Sequence, residues 1–333
     1  MNNDVLANLL RPQSFAEIVG QEAIVSILSR QAATKKIKHV YLFCGARGCG
    51  KTTTARVFAK ALNDGEGHCV EIDAASNNGV DCIRALSSDA QQMSIDCNYK
   101  VYIIDEAHMM TTAAWNAALK LFEEPPKHVV FILCTTNPDK IPGTILSRVQ
   151  RFDFHRIETK VIADKLEYIS NEVTHNKYTR EALDRIAIAA DGYMRDAITN
   201  FDKCLDYSTD LTIENVEKVL GLVREESLLK ITNDLLEKDI VNCLNELDIL
   251  KNNSNDMLQV YDSLMSFVIE YAIYNKTYDI NNVNIPRRFE SSLNKDKFNE
   301  LTRFATRLFE CRKNANSSNA EVFLRMIILE MSK

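Results

Sequence analysis

"HVYLFCGARGCGKTT", residues 39 to 53, joins an apolar β-branched and aromatic run to a glycine-rich loop and then to a helical pattern. Its second part, Gly45 to Thr53, fits G-x-x-x-x-G-K-[ST] and lies where that motif must lie, directly after a strand and before a helix. Glycines let the loop's backbone N–H groups, from Gly45 through Ala46, Arg47, Gly48, Cys49 and Gly50, wrap around phosphate oxygens, and the helix that follows adds its positive end. Lys51 is then placed to reach the β- and γ-phosphates of ATP. The Thr52 hydroxyl is placed to ligate Mg²⁺, and Thr53 closes the motif. A glycine-rich turn that happens to carry a lysine is the competing reading, and the strand and helix on either side count against it.

Outward from this loop the same alternation continues. Strand candidates are "CVEIDA" (69 to 74), "KVYIIDEA" (100 to 107), "HVVFILCTT" (128 to 136) and "RFDFH" (151 to 155). Helical patterns cover 50 to 62, about 79 to 93, and 112 to 123, the last stopped by Pro125 and Pro126. Near-continuous apolar strands separated by helices predict a parallel sheet covered on both faces, an α/β core. "VYIIDEAH" (101 to 108) ends in two acids at the carboxyl end of a strand, where ligands of such sheets collect. Asp105 would hold Mg²⁺, directly or through water, and Glu106 would orient and polarise an attacking water. Alone, such a pair reads as a solvated strand end; the loop before it changes that. After residue 156 strand signals stop, and amphipathic patterns predict a small helical bundle to about residue 208, with further helices from there to Lys333.

A chain of 333 residues with 46% apolar and 26% charged residues, 10 Gly and 6 Pro is long enough for two or three helix-rich globular domains. The formal net charge of −6 does not advertise a nucleic-acid binder, although it says little about a local basic stripe. Nine cysteines are scattered without a CxxC, several inside apolar runs, which predicts a reducing compartment. "MNNDVLANLL" lacks the basic start and apolar core of a signal peptide, and no uninterrupted apolar stretch reaches the length of a span of about 18 residues. The expectation is a cytoplasmic protein with no membrane partner.

Six blocks in order carry a resemblance. "RPQSFAEIVGQ" (11 to 21), "EIDAASNNGVD" (71 to 81), "KVYIIDEAHMM" (100 to 110), "NAALKLFEEPP" (116 to 126), "TTNPDKIPGTILSR" (135 to 148) and "GYMRDA" (192 to 197) look like the bacterial DNA polymerase III γ/τ family, the AAA+ ATPase motor of the clamp loader. The match runs from near the start to about residue 205 and weakens afterwards. It implies an AAA+ P-loop core over 1–156, a helical lid over 157–208 and an all-helical collar for oligomerisation over 209–333. The implied activity is ATP hydrolysis, with ATP and Mg²⁺, driving the loading of a sliding clamp onto primed DNA. The implied partners are δ- and δ′-type loader subunits, copies of this chain, the clamp and primer-template DNA. Polymerisation itself is not expected.

The resemblance also carries residues over. Thr136 is similar to the family's sensor 1, a polar group at a strand end that can touch the attacking water or γ-phosphate; a capped strand end is the alternative. Arg148 matches the arginine of the family's SRC motif, which reaches into the ATP site of the neighbouring subunit, in trans. Arg195 matches sensor 2, in the lid. At the helix start, Asn77, Asn78 and the first N–H groups could hold DNA backbone phosphates, and Arg84 matches a basic position on the family's inner face, although a capped helix with one exposed arginine accounts for the same residues.

Departures from the family pattern are equally specific. "ANLL" (7 to 10) replaces an aromatic and basic run, which puts base or phosphate contacts from that segment in doubt, and SRC has become Ser147-Arg148-Val149. The long τ extension has no counterpart before Lys333, so a minimal, γ-like form is expected. The family's module of four Cys zinc ligands, between the loop's helix and the second strand, is reduced to a polar turn ending in His68 and Cys69. Structural zinc needs four converging ligands, usually from spaced pairs, so no zinc is expected, and Cys69 reads as the first residue of a buried strand. Two other readings compete: another AAA+ remodeller of DNA, for branch migration or recombination, and a stator subunit of the same loader that hydrolyses nothing.

Overall fold

Successive side chains of a strand point to opposite faces, so an apolar run with no polar interruption must be covered on both sides. The computed structural model, which describes residues 6–65, 69–93, 97–252 and 256–331, follows this rule. His68 lies outside the described residues. Val40–Cys44 (β1) and Val129–Thr135 (β4) are buried along their whole length. Val40, Leu42, Phe131 and Leu133 enter one core, while Tyr41, Phe43, Val130 and Ile132 enter the other. Lys100–Asp105 (β3) divides the same way, with Tyr102 and Ile104 on one side and Val101 and Ile103 on the other.

The elements before and between the strands supply the cover. Leu6–Leu9 (α1) is a single helical turn, and Glu22–Thr34 (α2) precedes β1. Lys51–Leu62 (α3) follows the loop, Val80–Ala90 (α4) follows Cys69–Asp73 (β2), and Thr112–Glu123 (α5) follows β3. Helices α2 and α3 lie on the face that holds Phe43 and Phe58; α4 and α5 lie on the face that holds Leu86, Trp115 and Phe122. After β4 come a turn of helix, Gly143–Leu146 (α6), and Gln150–Asp153 (β5). The sheet is all parallel, in the order β2-β3-β4-β1-β5.

Phe131 is fully buried at the centre of this sheet, stacked at 5.3 Å on Tyr102 and edge-on at 5.1 Å to Phe122. Removing a ring from such a site costs both transfer energy and a cavity that the neighbours fill only in part. Phe131→Ala is expected to lower the unfolding free energy by about 3–5 kcal/mol, measured by denaturant titration.

Two expectations are corrected. Cys69 opens a strand, but β2 is an edge strand and not a buried one. Among the described residues it pairs only with β3, Cys69 itself is half-buried and Val70 is 40% exposed. An edge strand lacks the second neighbour and the full helix cover that bury β1 and β4. The second correction lies past residue 156. Thr159–Ile169 (α7), Arg180–Ala189 (α8) and Met194–Tyr207 (α9) are the expected helices, but Lys177–Tyr178 (β6) and Asp210–Leu211 (β7) add a short parallel ladder. Strands of two residues have no period from which to be read.

The chain divides into two units, Met1–Ile213 and Glu214–Lys333. The second is helical. Ile213–Leu220 (α10) starts at the division, followed by Glu225–Leu236 (α11), Ile240–Asn252 (α12), Met257–Thr277 (α13), Phe298–Arg312 (α14) and Ala320–Met331 (α15). Its own core gathers around Tyr261, Leu264, Val268 and Tyr271 of α13, and the buried Tyr261 hydroxyl donates to the Leu308 carbonyl at 2.7 Å. No helix among the described residues is long and apolar enough to cross a membrane.

Candidate active site

Strand β1 lies between β4 and β5, and β3 lies on the far side of β4. The carboxyl ends of β1, β4 and β3 therefore open side by side, and the loops that leave them must meet there. The loop after β1 leaves the sheet through Gly45, whose N–H donates to the Thr135 carbonyl at 3.2 Å. At a φ of 151°, Gly45 is where only glycine fits, because a Cβ would lie 2.6 Å from the Phe154 carbonyl oxygen. The loop ends at Gly50, from which α3 begins with its first N–H groups facing back over the loop.

Lys51 is buried, 6% exposed, and its Nζ donates to the carbonyls of Gly45 and Ala46, each at 2.8 Å. The ammonium is thus held at the middle of the loop, with a third donor position open to an anionic oxygen. One residue on, the Thr52 hydroxyl donates to Asp105 Oδ2 at 2.8 Å, joining the loop to the end of β3 across the sheet. A hydroxyl and a carboxylate side by side are hard oxygen donors of the kind Mg²⁺ takes, with phosphate and water completing its shell. These residues fit the cation.

Glu106 takes a left-handed conformation, φ 48° and ψ 41°, which is strained for a residue with a side chain. Its N–H donates to Asp105 Oδ1 at 2.9 Å, and the sharp turn sends its carboxylate toward the end of β4. There the Thr136 hydroxyl donates to Glu106 Oε2 at 3.2 Å. Five of the predicted residues, Lys51, Thr52, Asp105, Glu106 and Thr136, are thus gathered at one edge of the sheet.

Arg195 arrives from α9 on the other side. It lines a cavity of about 380 Å³ together with the loop from Arg47 to Thr53, Asp105 and Glu106. A Cβ on Gly48, whose φ is 83°, would sit 3.1 Å from Tyr193 Cβ and 3.7 Å from Arg195 Cβ, so the start of α9 rests directly on the loop. Arg148 is not among the residues lining this cavity. Its guanidinium pairs with Glu123 at 2.8 Å and donates to the Thr144 carbonyl and Ser147 Oγ, with its side chain 37% exposed.

The segment after β2 runs beside these groups. The Ala74 N–H donates to the Asp105 carbonyl at 2.9 Å, and the Asn78 carbonyl accepts from Thr111 N–H at 3.1 Å. Asn77 and Asn78 are exposed, Asn77 Nδ2 donates to the Asp73 carbonyl at 3.4 Å, and the exposed Arg84 pairs with Asp81 at 3.1 Å.

Several cavity residues carry no role in the sequence reading. Ala7, Leu10 and Arg11 form one wall, so the "ANLL" segment does border the cavity, and Ile18, Val19 and Ile198 add apolar surface. Arg11 donates to Asn8 Oδ1 at 3.0 Å, and its pKa is held below the usual value by burial and by repulsion from Arg56 and Arg195. Arg56 is tied to Glu71 of β2 through a hydrogen bond of 2.6 Å. Its spacing of four residues from Thr52 on α3 was the available signal. Arg11 had none beyond its place in the opening block. Burial pushes the Cys49 thiol up and the Cys134 thiol well up, so both stay protonated beside the loop.

A five-stranded parallel sheet in this order, with the phosphate loop after β1 and paired acids at the carboxyl end of β3, is an AAA+ P-loop nucleotide-binding fold. The Holliday junction branch migration motor RuvB of Thermotoga maritima has this fold, with a TM-score of 0.56 and 19% identity over 68% of this chain and 79% of that one. The chain belongs to the γ/τ subunit family of bacterial DNA polymerase III. It is 32% identical to the γ subunit of Buchnera aphidicola subsp. Schizaphis graminum, over 99% of this chain and 98% of that protein. It is 38% identical to the τ subunit of Bacillus subtilis over 82% of this chain and 52% of that protein, and 37% identical to the τ subunit of Escherichia coli over 71% and 40%. The chain thus spans about half, or less, of the τ subunits it matches. A family model described as DNA polymerase III, delta subunit, matches residues 20–82 and 68–158.

Proposed function

We propose that this chain is the ATP-hydrolysing motor subunit of a DNA polymerase III clamp loader. The observation that carries the proposal is the Thr52–Asp105 contact at 2.8 Å beside Lys51 and the Glu106–Thr136 pair, in a member of the γ/τ family. Lys51 exchanges a loop carbonyl for the β- and γ-phosphate oxygens of ATP, and the loop N–H groups hold the rest of the triphosphate. Thr52 and Asp105 would hold Mg²⁺, which when bound would supply charge neutralisation to the triphosphate. Glu106 orients the water that attacks the γ-phosphate, and Thr136 fixes the carboxylate that does so. Arg195 follows the γ-phosphate from α9, so that the angle between core and lid depends on the nucleotide.

In this reading residues 1–156 are the motor core, 157–208 the lid and 209–333 the collar through which subunits assemble. Arg148 serves the neighbouring copy's site, and δ- and δ′-type subunits complete the ring. Asn77, Asn78 and Arg84 face primer-template DNA, and the clamp is the cargo. The protein works in the cytoplasm with ATP and Mg²⁺ and without zinc. A stator subunit would have no need of the complete set Lys51, Thr52, Asp105 and Glu106, which disfavours that alternative.

Steady-state ATP turnover of the reconstituted loader, measured with and without clamp and primed DNA, tests the proposal. Stimulation by the two together is expected. Turnover indifferent to both would leave an ATPase of some other use.

A further inference from the structure

Glu106 touches more than Thr136. His108, two residues on in the 3-10 turn Ala107–Met109, places its Nδ1 3.4 Å from Glu106 Oε2 and 3.2 Å from Thr135 Oγ1. Its side chain is only 12% exposed, and the Thr135 hydroxyl it meets is fully buried. The ring therefore sits between the turn that carries Glu106 and the end of β4. We propose that His108 is a positioning residue for hydrolysis, which holds Glu106 through electrostatic contact of a protonated Nδ1 with Oε2; this rests on the reading of Glu106 as the group that orients water.

The proton's place follows from the neighbours. An unprotonated Nδ1 would set its lone pair against a carboxylate oxygen, which is repulsive, whereas Nδ1–H is attracted to it. Thr135 Oγ1 already accepts from Asn137 N–H at 3.0 Å and has a second lone pair, so it tolerates the same Nδ1–H on its other side. Glu106 Oε2 then has one hydrogen-bond donor, the Thr136 hydroxyl, and the imidazole in electrostatic contact with it at 3.4 Å. With one oxygen committed, the carboxylate cannot rotate freely, and Oε1 is kept for a water. The left-handed backbone at Glu106 makes such an anchor useful, because a strained turn alone would not hold a side chain with three torsions.

Two measurements test this. The first reads the imidazole directly, by long-range ¹H–¹⁵N correlation on the wild-type protein, with His108 assigned by its loss in His108→Asn. Nδ1 protonation is expected, and a His108 carrying its proton on Nε2 alone would overturn the proposal. The second compares turnover with the affinity for a non-hydrolysable ATP analogue. His108→Ala is expected to lower kcat about 10- to 100-fold with little change in nucleotide affinity, as misplacement of a positioned group does. His108→Asn, whose amide N–H can take the place of Nδ1–H, is expected to recover most of that loss. An unchanged kcat in His108→Ala, or equal losses in both variants, would show that the ring does not position Glu106. Absence of turnover in the wild type would instead remove the hydrolytic reading of Glu106, before any variant is compared, and the imidazole measurement would still decide the contact.

Discussion

Glu106→Gln is expected to bind ATP normally and hydrolyse it on the order of 10²- to 10⁴-fold more slowly, the span over which a positioned general base contributes. The amide keeps the shape of the carboxylate and can still accept from the Thr136 hydroxyl, so the end of β4 keeps its partner. What disappears is the negative charge proposed to polarise the water. Lys51, Thr52 and Asp105 remain, and they are the groups proposed to hold the triphosphate and its cation. Single-turnover hydrolysis together with an equilibrium titration of nucleotide separates the two effects. If affinity falls along with the rate, Glu106 is a structural element of the site and not its water-orienting group.

Arg148→Ala is expected to cost roughly 10³-fold in turnover of the assembled loader, in line with the contribution of arginines supplied in trans to other nucleotide hydrolases. Within its own chain the guanidinium is held by Glu123 at 2.8 Å, away from the residues that line the cavity. Nothing in that arrangement serves the chain's own nucleotide. The affinity of Arg148→Ala for ATP, and any slow turnover by the isolated chain, should therefore be unaffected. An equal loss in the isolated chain would mean that the side chain acts through its own fold.

The parts of this site that were legible in the sequence are those that depend on backbone geometry and local spacing. Gly45, Gly50, Lys51 and Thr52 belong to a loop whose function is set by where its glycines fall, and Asp105 and Glu106 follow a strand whose apolar run cannot be mistaken. The sheet order was another matter, because nothing in the runs themselves says which strands pair. It is the adjacency of β1, β4 and β3 that turns Thr136 from a possible capped strand end into a partner of Glu106. A surface arginine and a cavity arginine look alike until the chain folds, which hides Arg11, while Arg56 is marked only by its spacing from Thr52. His108 is hidden because its contact depends on the left-handed turn at Glu106, which no residue type announces. Strand propensity carries no information about which strand lies at an edge, so the half-buried state of Cys69 is invisible in the sequence.

The proposed hydrolytic site joins one chain's Lys51, Thr52, Asp105 and Glu106 to a neighbouring copy's Arg148. Mixing tests it most directly. Loaders are reconstituted from Glu106→Gln chains, from Arg148→Ala chains, and from an equal mixture of the two, and their turnover is compared. In the mixture some Arg148→Ala chains, with intact Glu106, receive Arg148 from a Glu106→Gln neighbour. Turnover well above the mean of the two uniform assemblies is expected. A mixture no more active than that mean would contradict it.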